Sequence, residues 1–116
     1  MNSEFLYKAE VCTDYLSSAS LAERRNPAFT KDDAYREWQK AAYDEPAFLY
    51  DGDYLSLHSH CAGKDAANLS MEEVRASITF LLRQMRCEYA PYSCIVSGRL
   101  ASLLTRYIAL AKEETK

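Results

Sequence analysis

The segment 70–111 constrains the fold more than any other part of the chain. It opens with Ser70, Met71, Glu72 and Glu73, a capping box in which the serine and the second glutamate close the first turn of a helix. Apolar residues then recur at steps of three and four, which is typical of an amphipathic helix. These residues are Met71, Val74, Ile78, Leu81 and Met85. The pattern predicts a helix over 71–86.

A second amphipathic helix is predicted over 99–112. Pro91 interrupts the chain between the two, and one short helical turn ending at Gly98 fits the link. We expect the helices 71–86 and 99–112 to pack against each other through their apolar faces. In the second helix the residues predicted to point inward are Leu100, Leu103, Leu104, Tyr107, Ile108 and Ala111.

The N-terminal half carries weaker helix signals. Ser3 is a good N-cap for a helix whose apolar stripe is Phe5, Ala9, Cys12, Leu16 and Ala19. Thr30 is the predicted cap of the next helix, and 54–61 fits a short third one. The chain has only three Gly and three Pro, fewer than sandwiches and barrels usually need for their turns. We therefore predict an all-α fold, a small bundle of four main helices with one or two short connecting helices, in a single domain over 1–116.

Charge and hydropathy limit the compartments and the binding partners that fit this chain. The net charge of −3 and the sequence pI of about 5.4 disfavour non-specific binding to nucleic acid or anionic lipid. No basic, apolar leader follows Met1, and no apolar run approaches the roughly 20 residues that cross a bilayer. We predict a cytoplasmic protein with no membrane partner, in which the four cysteines are reduced.

Two stretches of the C-terminal third, 82–87 and 98–107, carry a pattern whose matching residues are Arg83, Arg86, Gly98, Leu104 and Arg106. This resembles a family of small bacterial helical proteins of unknown function, whose pattern is Arg-x-Glu-Arg-Phe, a glycine, then Leu-x-Arg-Leu. Met85 stands where that pattern has Glu, and Cys87 where it has Phe. The resemblance implies a helical fold of bacterial or phage origin, and it implies no activity.

His58, His60, Cys61 and Cys87 are the candidate metal or thiol residues. Imidazole and thiolate groups are zinc ligands, and a thiol near Arg86 would have a lowered pKa. On a helix, however, His58 and His60 point about 200° apart and cannot share one metal. The favoured interpretation places His58 and Cys61 on the core face and His60 in solvent. We predict no bound metal and no cofactor, and a small metal- or thiol-dependent protein is the third functional hypothesis.

Arg99 and Arg106 lie two turns apart on the last predicted helix. The last two predicted helices and the short turn between them also match the order of elements in a helix-turn-helix, in which the second helix enters a DNA groove. The alternative is a solvated face whose arginines pair with carboxylates. The acidic pI favours the alternative, so a DNA-binding regulator is the second functional hypothesis.

Nine tyrosines are a surplus for so small a domain, and Tyr is enriched at protein interfaces. Either these aromatic residues bind a partner or they fold back over the core. With no catalytic motif in the chain, the leading hypothesis is a non-catalytic protein-interaction module that binds another protein or itself as a homodimer. The residues predicted to take part are Tyr43, Phe48, Tyr50, Tyr54, Tyr89, Tyr92, Arg99 and Arg106.

Overall fold

The computed structural model describes residues 3–44, 49–50, 52–85 and 93–114. Within these ranges the chain is helical and forms no strand, which confirms the all-α prediction. Four helices have 12 to 16 residues, as predicted, and three shorter ones connect them, one more than expected. The α-helices are α1 (Ser3–Ser18), α2 (Leu21–Arg25), α3 (Asp33–Asp44), α4 (Tyr54–Cys61), α5 (Met71–Met85), α6 (Ser93–Val96) and α7 (Arg99–Glu114). Two 3₁₀ turns lie at Pro27–Lys31 and Ala66–Asn68.

The capping box that starts α5 is confirmed. The backbone N–H of Ser70 donates to Glu73 Oε1 at 3.0 Å, and the backbone N–H of Glu73 donates to Ser70 Oγ at 3.2 Å. Ser20 and Glu23 make the same reciprocal pair at the start of α2. This second box explains why a separate five-residue helix follows α1.

The predicted cap of α3 was wrong. Thr30 lies inside the 3₁₀ turn Pro27–Lys31, and Asp32 takes the capping role. Its Oδ1 accepts the backbone N–H of Ala34 at 2.9 Å. A carboxylate suits this place better than a hydroxyl because it also faces the positive end of the helix dipole.

The four long helices and α4 pack in the order α3, α1, α7, α5, α4, each against its neighbours in that series. Their buried faces form one core, with Trp38 from α3 and Ile78 from α5 completely enclosed. The predicted inward residues of α7 are buried, except Ile108, which is only half-buried. Among the described residues, none of the helices combines the length and the apolar character needed to cross a bilayer.

Gly98 joins α6 to α7 with a φ of +84°. Glycine adopts this left-handed conformation without the steric cost that a Cβ would bring. Its backbone N–H donates to the Ile95 carbonyl at 3.2 Å, which closes the last turn of α6 before α7 begins. The predicted helix stop at this glycine is therefore confirmed.

Candidate interaction surface

The tyrosines predicted to bind a partner fold back against α5 in the described part of the chain. Tyr43, at the end of α3, donates its hydroxyl to the Leu82 carbonyl at 3.0 Å. The Tyr54 ring lies under the Arg83 guanidinium, whose carbon is 4.7 Å from the ring centroid. Both tyrosines are half-buried. Much of their contact area is therefore already used inside the molecule.

Tyr50 is also tied to α5, through its backbone. Its N–H donates to Thr79 Oγ1 at 2.9 Å, and the Thr79 hydroxyl donates in turn to the Arg75 carbonyl at 2.7 Å. Gly52 lies so close to the Tyr50 ring that a Cβ there would be 2.9 Å from Cε1. Phe48, Tyr89 and Tyr92, which belong to the same predicted set, lie outside the described residues.

Arg99 and Arg106 share a face of α7, as predicted, and this face looks towards the segment 61–69. Arg99 donates through Nη1 to the Lys64 carbonyl at 3.0 Å and through Nη2 to the Cys61 carbonyl at 3.4 Å. Arg106 donates through Nε to the Leu69 carbonyl at 2.9 Å. These bonds give both side chains a role in holding α7 to the chain ahead of α5, and DNA binding through them stays a prediction.

The candidate metal residues of α4 do not converge. Cys61 is fully buried, where its Sγ donates to the Leu57 carbonyl at 3.1 Å and lies 3.2 Å from Ser77 Oγ. His60 is exposed beside Lys64. In the described ranges no three His, Cys, Asp or Glu side chains are placed to hold a metal ion. Cys87 lies outside those ranges.

His58 packs flat on Phe80, with ring centroids 3.9 Å apart and an interplanar angle of 14°. Its Nδ1 is buried and has no hydrogen-bond partner within the described ranges. Burial lowers the pKa of His58 below its ordinary value of 6.5, and the Arg99 charge lowers it further. The imidazole is therefore harder to protonate in its place between α4 and α5 than it is in water.

Because His58 is harder to protonate in the folded chain than in the unfolded chain, the protein is expected to lose stability on mild acidification. The unfolded chain binds a proton at His58 as the pH drops below 6.5, whereas the folded chain binds it only at lower pH. We expect the free energy of unfolding to decline from pH 7 to pH 5 and this decline to be absent in His58→Phe, measured by urea denaturation. Carboxylates that cap helices, such as Glu73, add a further decline in stability below pH 4.5. The pKa of Glu73 is lowered chiefly by its hydrogen bond with the Ser70 backbone.

The exposed His60 provides the control for this titration. His60→Asn removes a histidine from the same helix without touching Phe80, so it is expected to keep the full decline between pH 7 and pH 5. An unchanged decline in His58→Phe would show that some other group carries the pH dependence.

An open groove with a largely apolar lining lies between α1 and α3. It has a volume of about 590 Å³. Tyr7 stands on its α1 side with 66% of its surface exposed, and the described residues give its hydroxyl no hydrogen-bond partner. The lining residues are Glu4, Tyr7, Lys8, Val11, Asp33, Ala34 and Glu37. We call this the α1–α3 groove.

The α1–α3 groove is lined by both apolar and charged groups. Val11 and Ala34 supply apolar surface, one from each helix, and the Tyr7 ring adds to it. Lys8 Nζ lies 3.5 Å from Glu4 Oε1 and 3.8 Å from Glu37 Oε2, so it links the two sides. The lining carries three carboxylates and one ammonium, a net formal charge of −2.

Sequence reasoning missed the α1–α3 groove, although α1 contains a signal for it. Tyr7 and Val11 lie one helical turn apart and off the buried stripe of Phe5, Ala9 and Cys12. An amphipathic helix that faces only the core has one such stripe. Tyr7 and Val11 form a second, shorter stripe on the outer side of α1.

Comparison with protein-family models, curated proteins and solved structures finds no match to this chain. The family resemblance drawn from Arg83, Gly98 and Arg106 therefore stays a prediction. Support for a function therefore comes from the residues of this chain alone.

Proposed function

We propose that the protein is a non-catalytic protein-interaction module that binds a partner protein in the α1–α3 groove. The observation that carries the proposal is the exposed Tyr7 side chain, which lines an open groove together with the apolar residues Val11 and Ala34. Tyrosine gives large contact area for the loss of little side-chain freedom and is common among residues that dominate binding energy. A partner covering this groove would remove the largest exposed aromatic surface of α1 from water.

The charge of the groove favours a different protein over a second copy of this chain. A two-fold dimer through this surface would bring together two copies of a lining whose net formal charge is −2. Like charges brought together in this way oppose association. The predicted homodimer is therefore the less favoured form of the interaction hypothesis.

We also place this activity in the cytoplasm. Cys12, Cys61 and Cys94 are buried free thiols, which is typical of proteins in reducing compartments. Burial raises the pKa of Cys12 to about 12, so this thiol is protonated and unreactive at neutral pH. Within the described ranges, each of the three cysteines is a residue of the hydrophobic core.

Capture of partners on the immobilised protein tests the proposal. From a lysate of the source cells, we expect at least one protein whose recovery falls about tenfold or more in Tyr7→Ala, because truncation of a central tyrosine typically costs that much affinity. Leu55→Ala is the matched control, since Leu55 is a large apolar residue of α4 that is 54% exposed. Recovery that is equal from the wild type, Tyr7→Ala and Leu55→Ala would contradict binding through the groove.

A further inference from the structure

We infer that the α1–α3 groove takes a basic amphipathic helix of its partner, an inference that rests on the function proposed above. Two features of the groove lead to it. Its apolar lining comes from both helices, and its charged lining has a net formal charge of −2. Each feature constrains a different part of the ligand, the first its apolar anchors and the second its charge.

The shape of the groove fits a helix. Its α1 side extends from Glu4 to Val11, a rise of roughly 10 Å at 1.5 Å per residue. Tyr7 and Val11 are one turn apart along this side, which matches the spacing of apolar anchors at i and i+4 on an incoming helix. In the described ranges the fold has no sheet edge on which an extended peptide could add as a strand.

The charge of the groove fits a basic ligand. Lys8 is shared between Glu4 and Glu37, and Asp33 has no ion-pair partner among the described residues. Lysine or arginine residues flanking the apolar face of a helix would meet these carboxylates. Such exposed pairs contribute modestly to affinity, but they discriminate strongly between basic and acidic partners.

Synthetic peptides of about 15 residues provide the test. One has a leucine face and lysines elsewhere, a second has the same leucine face with glutamates, and a third scrambles the first so that it has no apolar face. Binding to the full chain is followed by fluorescence anisotropy of a label on each peptide. The scrambled peptide controls for simple attraction between a basic peptide and a protein of net charge −3.

We expect the basic amphipathic peptide to bind at least about tenfold more tightly than either other peptide. Tyr7→Ala should weaken that binding about tenfold or more, and Glu37→Lys should weaken it severalfold. Glu113→Lys, which makes the same change of net charge at an exposed site outside the groove, should leave it unchanged. Both groove variants change exposed side chains, and a thermal melt checks that each remains folded.

Several results would overturn the inference. They are equal binding of the scrambled or the acidic peptide, absence of binding by the basic peptide, or equal effects of Glu37→Lys and Glu113→Lys. A dimer in sedimentation equilibrium that Tyr7→Ala abolishes would make a second copy the occupant. The capture experiment separates these failures from failure of the proposed function, because Tyr7-dependent recovery of a partner would stand even if that partner were not basic.

Discussion

Leu104→Ala is expected to lower the free energy of unfolding by about 2–5 kcal/mol. Leu104 has no exposed surface and belongs to the core that α7 shares with α5. Truncation removes buried apolar contacts and leaves a cavity, because the surrounding helices relax only in part. Urea denaturation followed by circular dichroism measures the change.

Leu55→Ala is the control for this experiment. The same four-carbon side chain is shortened there, but more than half of Leu55 is exposed, so little burial is lost. We expect its effect to be below about 1 kcal/mol. A similarly small effect of Leu104→Ala would contradict the packing of α7 against α5.

Arg106→Ala is expected to lower the free energy of unfolding by about 1.5–3 kcal/mol, the range typical of a hydrogen bond from a charged group. The Nε–H of this half-buried arginine donates to the Leu69 carbonyl at 2.9 Å, just ahead of the capping box of α5. Without the guanidinium, that partly buried carbonyl loses its donor and α7 loses a tie to this segment. Thermal and urea denaturation both report the change.

Arg25→Ala serves as the matched control because Arg25 is exposed at the end of α2. We expect it to change stability by less than about 0.5 kcal/mol. If Arg106→Ala left stability unchanged and instead abolished salt-dependent binding to duplex DNA, the DNA-binding hypothesis would replace the structural role given to Arg106 here.

Local signals in the sequence account for the helices. The capping box at Ser70, the stripe through Val74 and Ile78, and the glycine at 98 each depend on residues within one or two turns of each other. Interactions of this kind can be predicted from the sequence because the partners are only a few residues apart. The cap of α3 was missed because Thr30 and Asp32 are both good caps, and the 3₁₀ turn that decides between them is set by Pro27 and the packing of Phe29.

The candidate site depends on pairs of residues that are distant in sequence. The α1–α3 groove exists only because α1 packs beside α3, which brings Glu37 within 3.8 Å of Lys8. In the same way, the stacking of Tyr54 on Arg83 and the bond from Arg99 to the Lys64 carbonyl follow from tertiary packing. No spacing rule in the sequence specifies such contacts, so the tyrosines of 43–54 were assigned to a partner and Tyr7 was not.

The most direct test of the groove is site-specific photocrosslinking in the source cells, with p-benzoylphenylalanine in place of Tyr7 or, as a control, Leu55. Both positions are more than half exposed, so a photoreactive side chain at either one is accessible to a partner. The expected result is a covalent adduct with another protein from position 7 and none from position 55. Absence of an adduct at position 7, or the same adducts from both positions, would contradict a partner-binding role for the α1–α3 groove.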